Sequence, residues 1–211
     1  MITRYSIATF ILSIIMINSS GQFSNSKKQI DFNEIKSKIF PVVKVQTNGG
    51  SNQVISLPND DQPVVKIIAG DLVCLFGINK GSYFEIIKKS NISDSINITV
   101  LDKIARQNLL NEIGKKIQLQ QTDFGAFGFT CGGEYEAALI TLPEIWEIVI
   151  QKLGSNIVFC VPSKDICLFA SENDLSAIKK LKEIIDKIHA NGDHVLSKKL
   201  YLFKQGQISE K

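Results

Sequence analysis

Two cysteines around a polar turn make residues 158–169 the stretch whose composition most resembles a chemical site. Cys160 and Cys167 have six residues between them, including Pro162, Ser163, Lys164 and Asp165. Close thiols form redox disulfides or bind metals, but cysteines on facing strands are also ordinary core residues. A turn centred on Ser163-Lys164 would pair the cysteines across a hairpin on one face. Because a disulfide there would strain the sheet, we expect a cross-strand core contact.

A cysteine nucleophile is the enzymatic hypothesis that the sequence permits. Cys131 precedes Gly132 and Gly133, small neighbours that would let a substrate approach, and His194 follows the last long helical segment. A thiol becomes nucleophilic when an imidazole within hydrogen-bond reach takes its proton. With 4 cysteines and 2 histidines in the chain, such a pairing also arises by chance. A cysteine-dependent hydrolase or transferase using Cys131 and His194 is therefore the alternative hypothesis.

Four polar residues are candidates for binding a ligand. Glu136 shares one face of a predicted strand with Glu134, where two carboxylates either bind a cation, act as acid and base, or face solvent. Asn108 falls on the apolar side of a predicted helix, where its amide either faces a ligand or ties down a neighbouring loop. Lys164 and Asp165 are predicted at the tip of the cysteine hairpin.

Several functional classes lack their sequence motifs. The phosphate-binding patterns G-x-x-x-x-G-K-[ST] and G-x-G-x-x-G and the nucleophile elbow G-x-S-x-G are absent from the sequence. Cysteine spacings of 57, 29 and 7 do not form the two close pairs of a zinc site. A net charge of +3 with arginine only at positions 4 and 106 disfavours nucleic-acid recognition. We predict no metal, no cofactor and no nucleic-acid partner.

The N-terminus has the order of segments found in a secretory signal peptide. Arg4 precedes an uncharged, mostly apolar run from Ile7 to Ile17, and small polar residues follow. A membrane-spanning helix needs about 20 apolar residues, so this run is short for a permanent anchor. We predict a signal peptide at 1–21, a linker at 22–29 and a single domain at 30–211, exported to the periplasm or medium and without a stable membrane span. A cytoplasmic protein is the alternative.

The predicted strands occur mostly in consecutive pairs that would form hairpins, with a few predicted helices between them. Short apolar runs separated by turn residues predict strands at 42–87, 116–130, 133–142, 157–170 and 199–209. Periodicity and capping residues predict helices at 29–40, 99–113, 143–153 (with Trp146 in the core) and 172–190. The pattern predicts an α+β fold with a largely antiparallel sheet built from hairpins and three to four helices. Two hairpin-plus-helix units are one arrangement that it permits.

Five segments of the sequence carry a family resemblance. They are DLVCLFGINKGSYFEII, ARQNLL, GGEYEAALI, VPSKDICLF and HVLSKKLYLFKQGQ. In this order they resemble the YtpQ-like family of bacterial proteins, over Phe40 to Ile208. The positions that match are Asp71, Asn108, Glu136, Trp146, Pro162, Asp165 and Leu196. The resemblance implies a single α+β domain and no particular activity.

The chain departs from the YtpQ-like pattern in two respects. Lys164 stands where the family tends to have arginine, which weakens an anion-binding role for that turn taken alone. An apparent leader precedes a chain that is usually cytosolic, which puts a shared cellular role in doubt. Because catalytic patterns are missing, the leading hypothesis is a non-enzymatic, exported binding or interaction module. It would bind a protein or small ligand through a sheet face or the Asp165 turn.

Overall fold

The computed structural model describes residues 30–46, 58–92 and 96–211. The predicted signal peptide (1–21) and linker (22–29) lie outside the described residues, as does the apolar run 53–57 within the predicted strand region. The described residues form four α-helices and two antiparallel sheets, which confirms the α+β fold.

The first sheet contains four strands and is covered by one helix. Its strands are β1 (Ile39–Val45), β2 (Val65–Ala69), β3 (Leu72–Asn79) and β4 (Phe84–Ile86), in the order β1-β3-β2 with β4 also paired to β3. Helix α1 (Phe32–Ile35) precedes them, and α2 (Ile98–Ile113) packs on one face. Leu101 and Ala105 of α2 are buried in one cluster with Cys74, Phe76 and Ile78 of β3.

The second sheet contains six strands between two helices. Its strands are β5 (Gln118–Gln121), β6 (Phe127–Thr130), β7 (Ile157–Ser163), β8 (Ile166–Ser171), β9 (Tyr201–Lys204) and β10 (Gln207–Glu210), in the order β10-β9-β7-β8-β6-β5. Helix α3 (Pro143–Leu153) packs Trp146 with Phe159 of β7, which confirms the core position of Trp146. Helix α4 (Leu175–Asn191) packs with Val158, so the two helices cover opposite faces.

One hydrophobic core joins the two sheets. Phe40, Val43 and Leu72 of the first sheet belong to the same buried cluster as Phe159 and Phe169 of the second. The hairpins β3–β4 and β7–β8, which resemble each other in sequence, are each followed by a helix but lie in different sheets. In the part of the chain that the structure describes, no helix combines the length and apolarity that crossing a membrane requires.

Three predicted element boundaries were wrong because side chains override the local pattern. Pro41 lies inside β1 instead of ending a helix; β1 is an edge strand, where proline needs no second ladder partner. Helix α2 begins at Ile98 because Asn97 accepts the N–H of Val100. Helix α4 begins at Leu175 and not at 172, because Asp174 accepts the N–H of Ala177 and caps it.

The predicted strand at 133–142 is also wrong. Residues Glu136–Thr141 form a 3-10 helix. Gly132 and Gly133 have φ values of 115° and 84°, a backbone region that favours glycine, and they turn the chain before this helix. Alternating apolar residues in this segment therefore did not signal a strand.

The predicted register of the cysteine hairpin was wrong by one residue. Cys160 lies opposite Leu168, and a register shift between Cys160 and Ser163 places Lys164 and Asp165 in the turn. Cys160 consequently packs in the cluster beneath α4, whereas Cys167 packs in the cluster on the α3 side. All four cysteines are free and buried. The core interpretation of these two residues is confirmed, but their contact across one face is not.

Candidate functional site

A cleft opens where the first sheet meets the second. Residues of four segments line it: 41–44 of β1, Asn79 and 81–84 of the β3–β4 turn, residues 134, 135, 137 and 138, and Lys164. We call it the intersheet cleft. Its volume is about 210 Å³, room for about seven water molecules at roughly 30 Å³ each. The intersheet cleft therefore has space for a small molecule or for one side chain of a larger partner.

Aromatic rings form the inner wall of the intersheet cleft. The centroid of Phe40 lies 6.2 Å from that of Phe84 and 5.8 Å from that of Tyr135, and the rings of Phe84 and Tyr135 meet edge to face at 6.3 Å. Such packing fixes ring positions and leaves apolar area for a ligand to cover. Phe84 and Tyr135 both line the cleft. Phe84 belongs to the first sheet and Tyr135 to the loop that follows β6 of the second sheet, so the aromatic wall forms only when the two sheets are packed together.

The phenol of Tyr135 keeps its proton. Burial, followed by the charges of Glu134 and Glu112, raises the pKa of Tyr135, and a hydrogen bond with Asn79 opposes that shift. Tyr135 is therefore available as a hydrogen-bond donor at the cleft wall.

The β3–β4 turn is held by its own side chain. Asn79 Oδ1 accepts the N–H of Gly81 at 2.7 Å, and Lys80 N–H donates to the carbonyl of Tyr83 at 3.0 Å. Gly81 has φ 90° with open space around it, so the backbone conformation, not crowding, requires glycine. The turn presents the exposed side chains of Ser82 and Tyr83 beside the cleft.

The loop that carries Tyr135 is built on the buried carboxylate of Glu136. Its Oε1 accepts the backbone N–H groups of Cys131 and Gly133, each at 2.8 Å, and its Oε2 accepts the N–H of Tyr135 at 3.1 Å. Glu136 is 2% exposed, while its neighbour Glu134 is exposed. The predicted pair of carboxylates on one strand face was therefore wrong: one holds the loop together and the other lies at the cleft.

The β7–β8 turn is fixed from both sides by backbone contacts. The carbonyl of Lys164 accepts the N–H of Ala137 at 3.0 Å, and its own N–H donates to the carbonyl of His194 at 3.3 Å. Lys164 is half-buried and lines the intersheet cleft. Lys164, a binding candidate from the sequence, thus lies at the cleft next to Ala137.

Asp165 faces a different part of the surface. Its Oδ1 accepts the hydroxyl of Ser163 at 2.6 Å, and it lines a groove between β6 and β8 that does not include Lys164. The two turn residues predicted as one binding tip therefore point to separate surfaces.

Asn108 holds the chain before β1. Its Nδ2 donates to the carbonyls of Lys36 at 2.7 Å and Ile39 at 2.9 Å. Of the two roles open to this amide, the structure shows the tie to a neighbouring loop.

The environment of Cys131 keeps its thiol protonated. Burial, and then the charge of Glu136, raises the pKa of Cys131 to about 12. Among the described residues, neither imidazole hydrogen-bonds to this thiol: His189 Nε2 contacts the carbonyl of Ser197 at 3.2 Å, and His194 is exposed. An activated cysteine needs a lowered pKa and a neighbouring base, so these contacts do not favour a nucleophilic role.

Sequence reasoning missed most of the cleft. Lys44, Asn79 and Tyr135 come from segments that have no motif in common, and only Lys164 was among the candidates. The available signal was indirect, a glycine turn after Asn79 and the glycine pair before Tyr135. No group of three or more metal-binding side chains occurs in the ranges 30–46, 58–92 and 96–211.

Comparison of the chain with protein-family models, with curated proteins and with solved structures finds no match. The resemblance to the YtpQ-like family accordingly stays a prediction from the five segments that carry it.

Proposed function

We propose that this protein is a binding module whose site is the intersheet cleft. The observation that carries the proposal is the aromatic wall of Phe84 and Tyr135, which is reached from outside and flanked by polar side chains. Ligand sites combine apolar area with a small number of placed polar groups, and this cleft has that combination. Its volume is below the usual range of pockets for drug-sized molecules, so we expect a small ligand or a single inserted side chain.

The proposal is supported by the way the cleft is built. Its walls are fixed by the buried Glu136 carboxylate, the Asn79 turn and the backbone contacts of Lys164, none of which depends on a bound ligand. A preformed wall loses little conformational entropy on binding. Among the described cleft residues, none provides an activated nucleophile, which agrees with a binding role more than with catalysis.

Amide-resolved NMR of the isotope-labelled chain tests this function. The probes are benzyl alcohol, benzamide, benzoate and benzylamine, which share one ring and differ in the polar group. We expect at least one of them to shift the amide signals of Gly81 and Tyr135 and to saturate. Ser82→Trp places an indole at the cleft and should abolish the shifts, while Ser155→Trp, the same change at an exposed turn after α3, should leave them unchanged. Absence of shifts from all four probes would refute the function, as would shifts that persist in the Ser82→Trp variant.

The proposal also includes export from the cytoplasm and membership of the YtpQ-like family. Both rest on the sequence alone. The order of charged, apolar and small residues in 1–21 supports a cleaved signal peptide. N-terminal sequencing of protein from the periplasm or medium is expected to begin at Gln22. A chain that still starts at Met1 in the cytosol would rule out export without affecting the cleft.

A further inference from the structure

Two lysines line the intersheet cleft, and neither has a partner of opposite charge among the residues that the structure describes. Lys44 of β1 is exposed and Lys164 is half-buried, and both line the cleft. Within residues 30–46, 58–92 and 96–211, neither forms an ion pair. The carboxylate among the lining residues belongs to Glu134, so the lining side chains carry more positive than negative charge.

Two neighbouring carboxylates, those of Glu85 and Glu136, are held by partners of their own. Lys80 and Glu85 of the β3–β4 hairpin pair with each other at 3.0 Å. The carboxylate of Glu136 is buried and bonded to three backbone N–H groups of its own loop. An anion in the cleft would therefore meet Lys44 and Lys164, with the exposed carboxylate of Glu134 and the buried charge of Glu136 opposing it.

The neutral groups of the cleft also suit an anion. The protonated phenol of Tyr135 is a donor, and the side chain of Ser82 adds a further donor to the same lining. Hydrogen bonds from such groups to a carboxylate are stronger than those to a neutral oxygen. The edges and faces of Phe84 and Tyr135 accept an apolar or planar body beside the charged end.

Resting on the proposed function, we propose that the intersheet cleft binds a small carboxylate with an aromatic or branched apolar body. The same chemistry is present in a free organic acid and in the C-terminal residue of a peptide ending in an apolar side chain. At about 210 Å³ the cleft accommodates a benzoate-sized group but not a drug-sized ligand. A lysine ammonium group is a point charge and does not make the bidentate contact that arginine makes with a carboxylate. The affinity of the cleft for the carboxylate should therefore be modest and should fall as salt is added.

Matched titrations followed by NMR test the charge requirement. Benzoate should bind at least about tenfold more tightly than benzamide, its neutral analogue, because charge-assisted hydrogen bonds are roughly twice as strong as neutral ones. Lys44→Gln and Lys164→Gln should each weaken benzoate about two- to fivefold and leave benzamide unchanged, in line with exposed charge pairs. Lys182→Gln and Lys198→Gln, in a separate groove between α4 and the segment 198–200 that precedes β9, are the controls and should change neither.

A titration with a peptide distinguishes the two sources of the carboxylate, a free organic acid and a peptide C-terminus. The tripeptide Ala-Ala-Phe with a free C-terminus, if bound more tightly than benzoate, assigns the site to peptide ends, whereas weaker binding assigns it to free acids; either supports the carboxylate. Equal binding of benzamide and benzoate would overturn the inference and leave the binding function standing. If none of the aromatic probes binds, both the carboxylate inference and the proposed binding function are wrong.

Discussion

The carboxylate of Glu136 accepts the backbone N–H of Cys131 at 2.8 Å, so a glutamate organises the loop that precedes it in the chain. The same carboxylate reaches Gly133 and Tyr135, and it closes a turn whose glycines have left-handed backbone angles. Tyr135 is thereby placed against Phe40 and Phe84. The buried acid is a positioning residue for the aromatic wall, not a partner of Glu134.

Replacing Glu136 by glutamine should destabilise the fold and disturb the cleft. The amide that replaces one carboxylate oxygen is a donor and would face a backbone N–H, so at least one charged hydrogen bond is lost without replacement. Hydrogen bonds to charged groups contribute about 1.5–3 kcal/mol each, and we expect a loss of about 2–3 kcal/mol in urea unfolding. The exposed neighbour offers the control, since Glu134→Gln should change the free energy of unfolding by less than about 0.5 kcal/mol. Equal stability of the two variants would contradict the role assigned to Glu136.

Removing the hydroxyl of Tyr201 should loosen the junction between the sheets. Tyr201 donates to Asp71 Oδ1, and both residues contact the Ser197 hydroxyl, which lies 2.6 Å from the phenol oxygen and 3.1 Å from Asp71 Oδ1. Tyr201→Phe leaves a carboxylate oxygen short of a donor, and we expect a cost of about 1–3 kcal/mol in urea unfolding.

Tyr83→Phe, the same substitution at an exposed tyrosine, is the control for Tyr201→Phe. Tyr83 is 60% exposed on the β3–β4 turn, and Tyr83→Phe should leave the unfolding midpoint within experimental error. If both variants behave alike, the network of Asp71, Ser197 and Tyr201 does not stabilise the junction.

All four thiols should stay reduced and unreactive in the native protein. Cys160 and Cys167 pack on opposite sides of the second sheet, and disulfide geometry needs converging side chains. Iodoacetamide near pH 8 should add nothing to the native chain, because burial raises the pKa of Cys74, Cys131 and Cys160 to about 12 and of Cys167 well above its usual value. Intact mass should be the same with and without reductant, and four adducts should form in urea. Rapid labelling of Cys131 alone would revive the cysteine-enzyme hypothesis.

The stability of the fold should fall at alkaline pH. The native state raises the thiol pKa from 9.0 to about 12, mainly through burial, so it holds these protons more tightly than the unfolded chain does. The free energy of unfolding then has its full value below about pH 9 and decreases as the pH rises toward about 12. Urea midpoints near pH 7 and about pH 10.5 measure the loss, and Cys160→Ala should reduce it. A midpoint that rises over this interval would contradict the assignment.

Local patterns in the sequence were sufficient for most elements. Helices α2, α3 and α4 and the hairpin strands follow from periodicity and capping residues that act within a few positions of each other. The core role of Trp146 was also foreseen from an apolar stripe, and the tie to a neighbouring loop was one of the two roles that the sequence left open for Asn108. The charge pattern and the missing motifs also disfavoured nucleic-acid recognition, phosphate-binding loops and a zinc site.

The tertiary structure decided what local periodicity cannot encode. The segment after Gly133 alternates like a strand, yet three backbone donors around Glu136 make it a 3-10 helix. A register shift beyond Cys160 moves the two cysteines to opposite faces, since each step along a strand reverses the side chain. Lys44 and Lys164 line one cleft because β1 and the β7–β8 hairpin both pack against the 3-10 helix Glu136–Thr141. Residues far apart in the chain thus share one cleft, and only the packing of the two sheets brings them there.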